Sequence, residues 1–427
     1  MSVAKRLYSA LGANLTSQAI TVLIQVLSVP IFLYFWGVER YGEWILISAI
    51  PAYFALSDFG FISVAINRMS ILSSAGDHKG SETVFHTAIK FTAITSFAVF
   101  VGAILILALL EVVFPWGIEK KLALMLLITT SLLAMAGGLF DAVFRASDEY
   151  ALGTNMANVA RLVEWGFLIL GASLGGSVIY AALSQFIGRV IETIIIFWIV
   201  KSRHPHFSWS TKYADMNEFK EMIKPSLAFM AFPTANALNI QGVTLLVGYL
   251  FGPASVVIFN TYRTISRVLV QVIALLGRSL WPEISKQFGA GNFSAVVSLY
   301  KYGILGSVFI SLAASLPVYF LAPYILEEWT SGHVQFDGFL LKAFLLSTIL
   351  TSFWQMSMIV LSATNQHSGF SVTYLLSALL CVLVTYSISG VFGFNAPLIG
   401  MILFELLVIM SSGYYVKDLI FKNGRCV

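Results

Sequence analysis

Residues 260–283 read NTYRTISRVLVQVIALLGRSLWPE, inside a much longer hydrophobic region. Asn260, Arg263, Arg267, Gln271 and Arg278 fall at steps of three, four, four and seven, which on an α-helix stack side chains along one face. Ile265, Val268, Val272 and Leu276 take the other side. The pattern predicts a membrane helix with a cationic stripe. In a span over 254–282, Arg263 and Arg267 lie roughly 14–20 Å in, near the bilayer centre. An arginine there costs about 2.5–3.5 kcal/mol on the insertion scale, and two at i and i+4 also repel each other. Such a stripe must face a wet cavity, an anion or an acidic partner, not lipid.

Composition sets the frame for that helix. The 427 residues are 58% hydrophobic and only 11% charged, against about 25% charged in soluble domains, so the chain is an all-α polytopic membrane protein. Hydrophobic runs predict about twelve transmembrane helices, over 8–36, 40–66, 84–112, 121–145, 151–174, 177–200, 222–250, 254–282, 294–323, 338–362, 367–389 and 395–418. The first run is too long for a signal h-region, carries Asn14, Gln18 and Gln25, and lacks an A-x-A site; it is expected to stay as the first span.

With twelve spans the basic residues segregate. Lys5, Arg6, Arg68, Lys79, Arg145, Lys201, Arg203, Lys212, Lys220, Lys224, Lys286, Lys417, Lys422 and Arg425 fall on one side. Arg40, Lys120 and Lys121 fall on the other, with the acids Glu111, Glu119, Glu327, Glu328 and Asp337. The positive-inside rule then puts both termini in the cytoplasm. The longest hydrophilic stretch, 201–224, divides the chain into bundles over 1–205 and 222–427, with 206–221 as a cytoplasmic linker. The halves look related: Gly37 and Gly252 differ by 215 positions, as do Gly76 and Gly291, and FRASDEYALG around Ala146 resembles LSATNQHSGF around Ala363. Six spans per half imply a parallel repeat, two six-helix bundles related by a pseudo-two-fold axis along the membrane normal.

Polar residues inside the spans are the candidate functional groups. Asn14, Gln18, Thr21, Gln25 and Ser28 form a face of the first span, and Asn236, Asn239 and Gln241 mark the seventh. Such amides serve either as interhelical glue, at ~0.6–2 kcal/mol per bond, or as the lining of a path for hydroxyl-rich cargo. Asp141 with Arg145, Arg161 with Glu164, and Arg189 with Glu192 are spaced to neutralise themselves on one helix. Asp58 and Glu405 have no local partner, leaving pairing across the bundle or binding of a proton or Na⁺. Lys301 and Lys342 lie near enough to span ends to snorkel. Arg263 and Arg267 have no acid at i±3 or i±4. Guanidinium forks bind phosphate oxygens bidentately, and two forks about 6 Å apart at Cβ suit a diphosphate. The competing reading pairs them with Asp58, Glu405 or another acid. Arg278 lies near the cytoplasmic face, a candidate diphosphate contact or an interfacial charge.

Catalytic signatures are missing. GxxxxGK[ST], HExxH and CxxC do not occur, and the cysteines Cys381 and Cys426 suggest neither disulfide nor metal. GASLG, Gly171–Gly175, matches GxSxG, but Ser173 ends a membrane span instead of joining strand to helix. No basic, aromatic-laced soluble face serves nucleic acid. No cofactor, no metal and no enzymatic role is expected.

The first two spans carry Asn14, Pro30, Gly37, Tyr41, Gly42, the Asp58–Gly60 turn and Arg68, and RSLWPEISKQFGAGN follows in the second half. In these residues the chain resembles the Wzx-type polysaccharide flippases of the multidrug/oligosaccharidyl-lipid/polysaccharide exporter superfamily. The resemblance implies a flippase that moves undecaprenyl-diphosphate-linked oligosaccharide, an O-antigen or capsule repeat unit, from the cytoplasmic to the periplasmic leaflet of the bacterial inner membrane. It implies alternating access around a cationic cavity, an ion gradient as a candidate energy source, and a polysaccharide polymerase and chain-length regulator as candidate partners. The alternatives are an ion-coupled exporter of cationic drugs, which would want acids in its lumen, and an integral-membrane polymerase or glycosyltransferase, which would want a sizeable periplasmic loop.

Overall fold

The computed structural model describes residues 3–110 and 117–424. Glu111, Arg425 and Cys426 lie outside the described residues, as do the side chains of Lys5, Arg6 and Lys422. The described residues are almost wholly helical and fall into two units, Met1–Pro233 and Thr234–Val427.

In the first unit, α1 (Val3–Ala49) is two helices joined at Gly37. A short α2 (Pro51–Phe54), a 3-10 turn (Ala55–Asp58) and α3 (Phe61–Ser74) follow, then α4 (His78–Leu110), α5 (Ile118–Ala146), α6 (Tyr150–Ser173), α7 (Val178–Arg203) and α8 (Met216–Phe229). Across the unit boundary comes α9 (Ala231–Ala237). In the second unit a π-helical turn (Leu238–Gly242) leads to α10 (Val243–Phe251), α11 (Pro253–Gly289), α12 (Phe293–Thr330), α13 (Gly338–Ala363), α14 (Ser368–Phe392) and α15 (Ala396–Gly424).

Eight stretches among the described residues are long and apolar enough to cross a membrane. Two of them, Tyr8–Asp58 at 51 residues and Ser368–Ile420 at 53, are each about two crossings long and break at Gly37 and Gly393. The two remaining crossings are α6, which carries Asn155, Asn158, Arg161 and Glu164, and the segment from α9 through α10, which the π turn interrupts. This accounts for twelve spans, six in each unit. The second is not one continuous run over 40–66: Phe59 (φ 50°) and Gly60 (φ 73°) break it, and Asp58 Oδ1 accepts from the Gly60 N–H at 3.1 Å. Arg68 therefore sits on α3 and not in a loop.

The repeat is visible in backbone geometry. Gly37 (φ 64°, ψ −175°) and Gly252 (φ 86°, ψ 171°) both occupy a region that is essentially glycine-only. Gly76 and Gly291 have φ of 82° and 73°, and Asp148 and Asn365 have φ of 62° and 57°. Neighbour relations match as well. In the first unit α3 packs on α4 and α5, α4 on α5, and α7 on α5 and α6. In the second α11 packs on α12 and α13, α12 on α13, and α15 on α13 and α14. A Cβ at Gly252 would meet nothing within 4 Å, so Gly252→Ala isolates backbone strain. It is expected to cost about 1–3 kcal/mol, read as a lower melting temperature of the purified protein.

The second unit is apolar outside and partly polar within. Val391, Met410, Phe309 and Tyr302 are each more than 70% exposed. Ser311, Thr348 and Ser352 are buried: Ser266 bonds Thr348 at 2.7 Å and Ser311 donates to Ser352 at 3.3 Å. Small hydroxyl residues that let helices approach are the expected glue in a medium where apolar contact alone gives no drive. At the helix starts Ser177, Asp215, Asn292 and Asp337 accept from free N–H groups of the first turn.

The 204–215 stretch is not loose. His86 on α4 bonds Ser208 through Nε2 and accepts from the Tyr213 N–H, on whose ring it stacks at 5.4 Å. Glu149 takes hydrogen bonds from Arg203 and His204; the Arg203 bond holds its carboxyl below the usual range. Beyond it Arg68 pairs with Glu218 and Glu221, tying α8 to α3.

Candidate functional site: the arginine cavity of the second unit

Within the second unit a cavity of about 220 Å³ is lined by Asn236, Asn239, Arg263, Arg267, Gln355 and Glu405, among others. Its α11 wall is Phe259, Arg263, Ser266, Arg267 and Val270, at steps of four, three, one and three. That face is rotated from the one drawn through Asn260 and Gln271, each of which stands one position, or 100°, off it. Neither residue lines the cavity. Arg278 shares the angle of Arg267 but lies eleven residues on, about 16 Å along the helix, and is exposed.

The two arginines differ in how they are held. Arg263 is buried: its Nη1 donates to the Ile240 carbonyl at 3.0 Å and to Thr244 Oγ1 at 2.6 Å, and its guanidinium lies 4.5 Å from the Phe259 ring centroid. The Ile240 carbonyl belongs to the π turn and also accepts from the Val243 N–H and, at 2.7 Å, from Thr244 Oγ1. No carboxylate is hydrogen-bonded to either arginine among the described residues. Arg267, one turn on, is exposed to the cavity and makes no hydrogen bond or ion pair there.

Glu405 lines the same cavity but is engaged elsewhere. Ser347 (3.0 Å) and Thr351 (2.9 Å) donate to its Oε1, and Trp354 Nε1 to its Oε2 (2.5 Å). Three neutral donors solvate this carboxylate; no arginine does so. Asn236 takes a hydrogen bond from Tyr374 at 3.0 Å. Gln355 Oε1 is buried with no hydrogen bond. The cavity thus offers a free guanidinium, a fixed one and amides, which together can hold a small anion.

The first-span face behaves differently. Tyr150 donates to Asn14, Arg161 to Thr21, and Trp165 to Ser28, at 3.0, 2.8 and 2.9 Å, so these residues fasten α1 to α6. Asn14 also lines a cavity of the first unit, whereas Gln18 and Gln25 do not. Asp58 is half-buried in its own turn, away from either cavity lining.

The expected intrahelical charge pairs form in two cases of three. Arg145 bonds Asp141 at 2.7 Å and Arg189 bonds Glu192 at 3.0 Å. Arg161 does not pair with Glu164: Glu164 is taken by Arg189 and Gln185 of α7, which leaves Arg161 to Thr21. Ser173 donates back to the Leu170 carbonyl at 2.8 Å at the end of α6, an ordinary helix terminus with no nucleophile elbow.

Solved structures share this fold. A multidrug resistance MATE family transporter of the MOP superfamily, in an inward-facing conformation, aligns with TM-score 0.72 at 14% identity, covering 95% of this chain and 99% of its own. A MOP superfamily transporter from Pyrococcus furiosus, described as having a binding pocket of reverse polarity, aligns with TM-score 0.66 at 13% identity over 98% and 96%. A MATE structure in the straight conformation aligns with TM-score 0.68 at 14% identity over 98% and 96%. No curated protein sequence matches the chain. Residues 10–288 match the family described as polysaccharide biosynthesis protein, about two thirds of the sequence, and the chain belongs to that family.

Proposed function

We propose that this chain is a flippase, moving undecaprenyl-diphosphate-linked oligosaccharide, an O-antigen or capsule repeat unit, from the cytoplasmic to the periplasmic leaflet of a bacterial inner membrane. One observation carries the reading: Arg267 opens to a cavity beside Arg263 on α11, a helix long and apolar enough to cross a membrane, with no carboxylate bonded to either among the described residues. A guanidinium at that depth is costly unless an anion or water meets it. A polyprenyl tail stays in lipid while its headgroup crosses; the diphosphate needs cations and the sugars need hydrogen-bonding groups. Alternating access by rocking of the two halves is the mechanism this reading implies, with both termini in the cytoplasm and a polymerase and chain-length regulator as downstream partners.

Multidrug export, named for one structural neighbour, gains no support from the second-unit cavity: an exporter of cations wants open carboxylates, and Glu405 is already bonded by three donors. A polymerase or glycosyltransferase gains none either, because 204–215, the longest stretch between described helices, is packed on the first unit. The test is a deletion strain. Lipid-linked oligosaccharide should accumulate, inaccessible to a glycan-modifying reagent that cannot cross the inner membrane. Equal accessibility in deletion and parent strains would exclude flipping by this chain.

A further inference from the structure

The first unit holds the larger cavity, about 440 Å³, between α1, α5, α6 and α7. Six charged side chains line it: Asp141, Arg145, Arg161, Glu164, Arg189 and Glu192. Three carboxylates and three guanidiniums make it formally neutral, unlike the arginine cavity. A lone anion does not call for three carboxylates, nor a lone cation for three guanidiniums. A neutral ligand dense in hydroxyls calls for both, because each hydroxyl donates once and accepts twice.

The pairing inside the cavity leaves capacity unused. Asp141 is bonded through Oδ2 and Arg145 through Nε, so Oδ1 and the two terminal amino groups remain. Arg161 is exposed to the cavity and gives one amino group to Thr21. Glu192 is only 8% exposed, and its Oε2 is buried without a hydrogen bond. An unsatisfied buried carboxylate oxygen is costly unless a ligand or water serves it. The Tyr150 ring lies 4.6 Å from the Arg145 guanidinium at the wall, offering an aromatic surface beside the polar groups. The volume falls within the roughly 300–1,000 Å³ of small-ligand pockets, whereas the arginine cavity lies below it.

We propose that this cavity binds the saccharide portion of the cargo, an uncharged sugar rich in hydroxyls. The proposal rests on the flippase reading and deepens it. Its test uses the full chain in lipid nanodiscs and two probes: the lipid-linked oligosaccharide accumulated by the deletion strain, and undecaprenyl diphosphate without sugar. The wild type should bind the glycosylated lipid about tenfold more tightly than the bare one. Arg161→Gln, which gives up only the bond to Thr21, should remove that margin and leave the bare-lipid affinity unchanged. Ala157→Trp, on the cavity wall, should do the same by filling space. If both variants bind both lipids as the wild type does, or weaken both lipids alike, the saccharide site is wrong. If the wild type binds neither lipid, the flippase reading falls first and this proposal with it.

Discussion

Cells whose only copy of this chain carries Arg267→Ala should lose surface polysaccharide while keeping normal amounts of folded protein in the membrane. The two halves of that expectation have separate physical sources. Arg267 makes no hydrogen bond or ion pair among the described residues, so removing it relieves repulsion with Arg263 and leaves no acceptor unpaired. A charge-assisted bidentate contact to a phosphate is lost with it, worth about 1.5–3 kcal/mol, or roughly tenfold to a hundredfold in affinity. Arg267→Lys keeps the charge without the fork and should be intermediate. Arg263→Ala should cost stability as well, because the Ile240 carbonyl and Thr244 Oγ1 each lose one hydrogen bond, with only the Thr244-to-Ile240 bond left between them. The double Ala variant should display no surface polysaccharide. Quantifying surface glycan against immunodetected membrane protein reads both effects together. Normal display from the double variant would remove these arginines from the mechanism.

Gly171→Leu should leave almost no folded protein. A Cβ at Gly171 would press on the Tyr180 carbonyl oxygen and approach the Ala181 Cα to 2.7 Å, both backbone atoms of α7. Overpacking a core costs about 1–3 kcal/mol when side chains can move aside; here α6 and α7 must separate, so the loss is expected to reach or exceed about 3 kcal/mol. Gly166→Ala on the same helix is the control, since its Cβ would meet nothing within 4 Å. Size-exclusion profiles of the two variants from equal amounts of membrane should differ sharply, with Gly166→Ala at parental yield. A monodisperse Gly171→Leu peak of parental size would show that the α6–α7 contact is not close-packed.

The residues that were legible in advance are those whose effect is local. Gly37 with Gly252, and Gly76 with Gly291, point to the repeat because a positive φ at a turn favours glycine, and each pair has it. Arg263 and Arg267 announced a cavity because their depth followed from counting residues along a helix. Partners on other helices were not legible. Glu164 has Arg161 three residues before it, and only the packing of α6 on α7 shows that Arg189 takes it instead. The exact cavity face of α11 was likewise hidden. Asn260 and Gln271 are polar, yet the wall is completed by Phe259 and Val270, which no polarity pattern would select. The π turn that carries the Ile240 carbonyl bonded by Arg263 leaves no mark in LNIQG that helix propensity would detect.

The diphosphate contact proposed for Arg267 needs a guanidinium left unbonded in the cavity. Its most direct test is the affinity of undecaprenyl diphosphate for the full chain in nanodiscs, measured for the wild type and for Arg267→Ala at low and physiological salt. The expected result is a weakening of roughly tenfold to a hundredfold on substitution, smaller at physiological than at low salt. Equal affinities for the two proteins would contradict it.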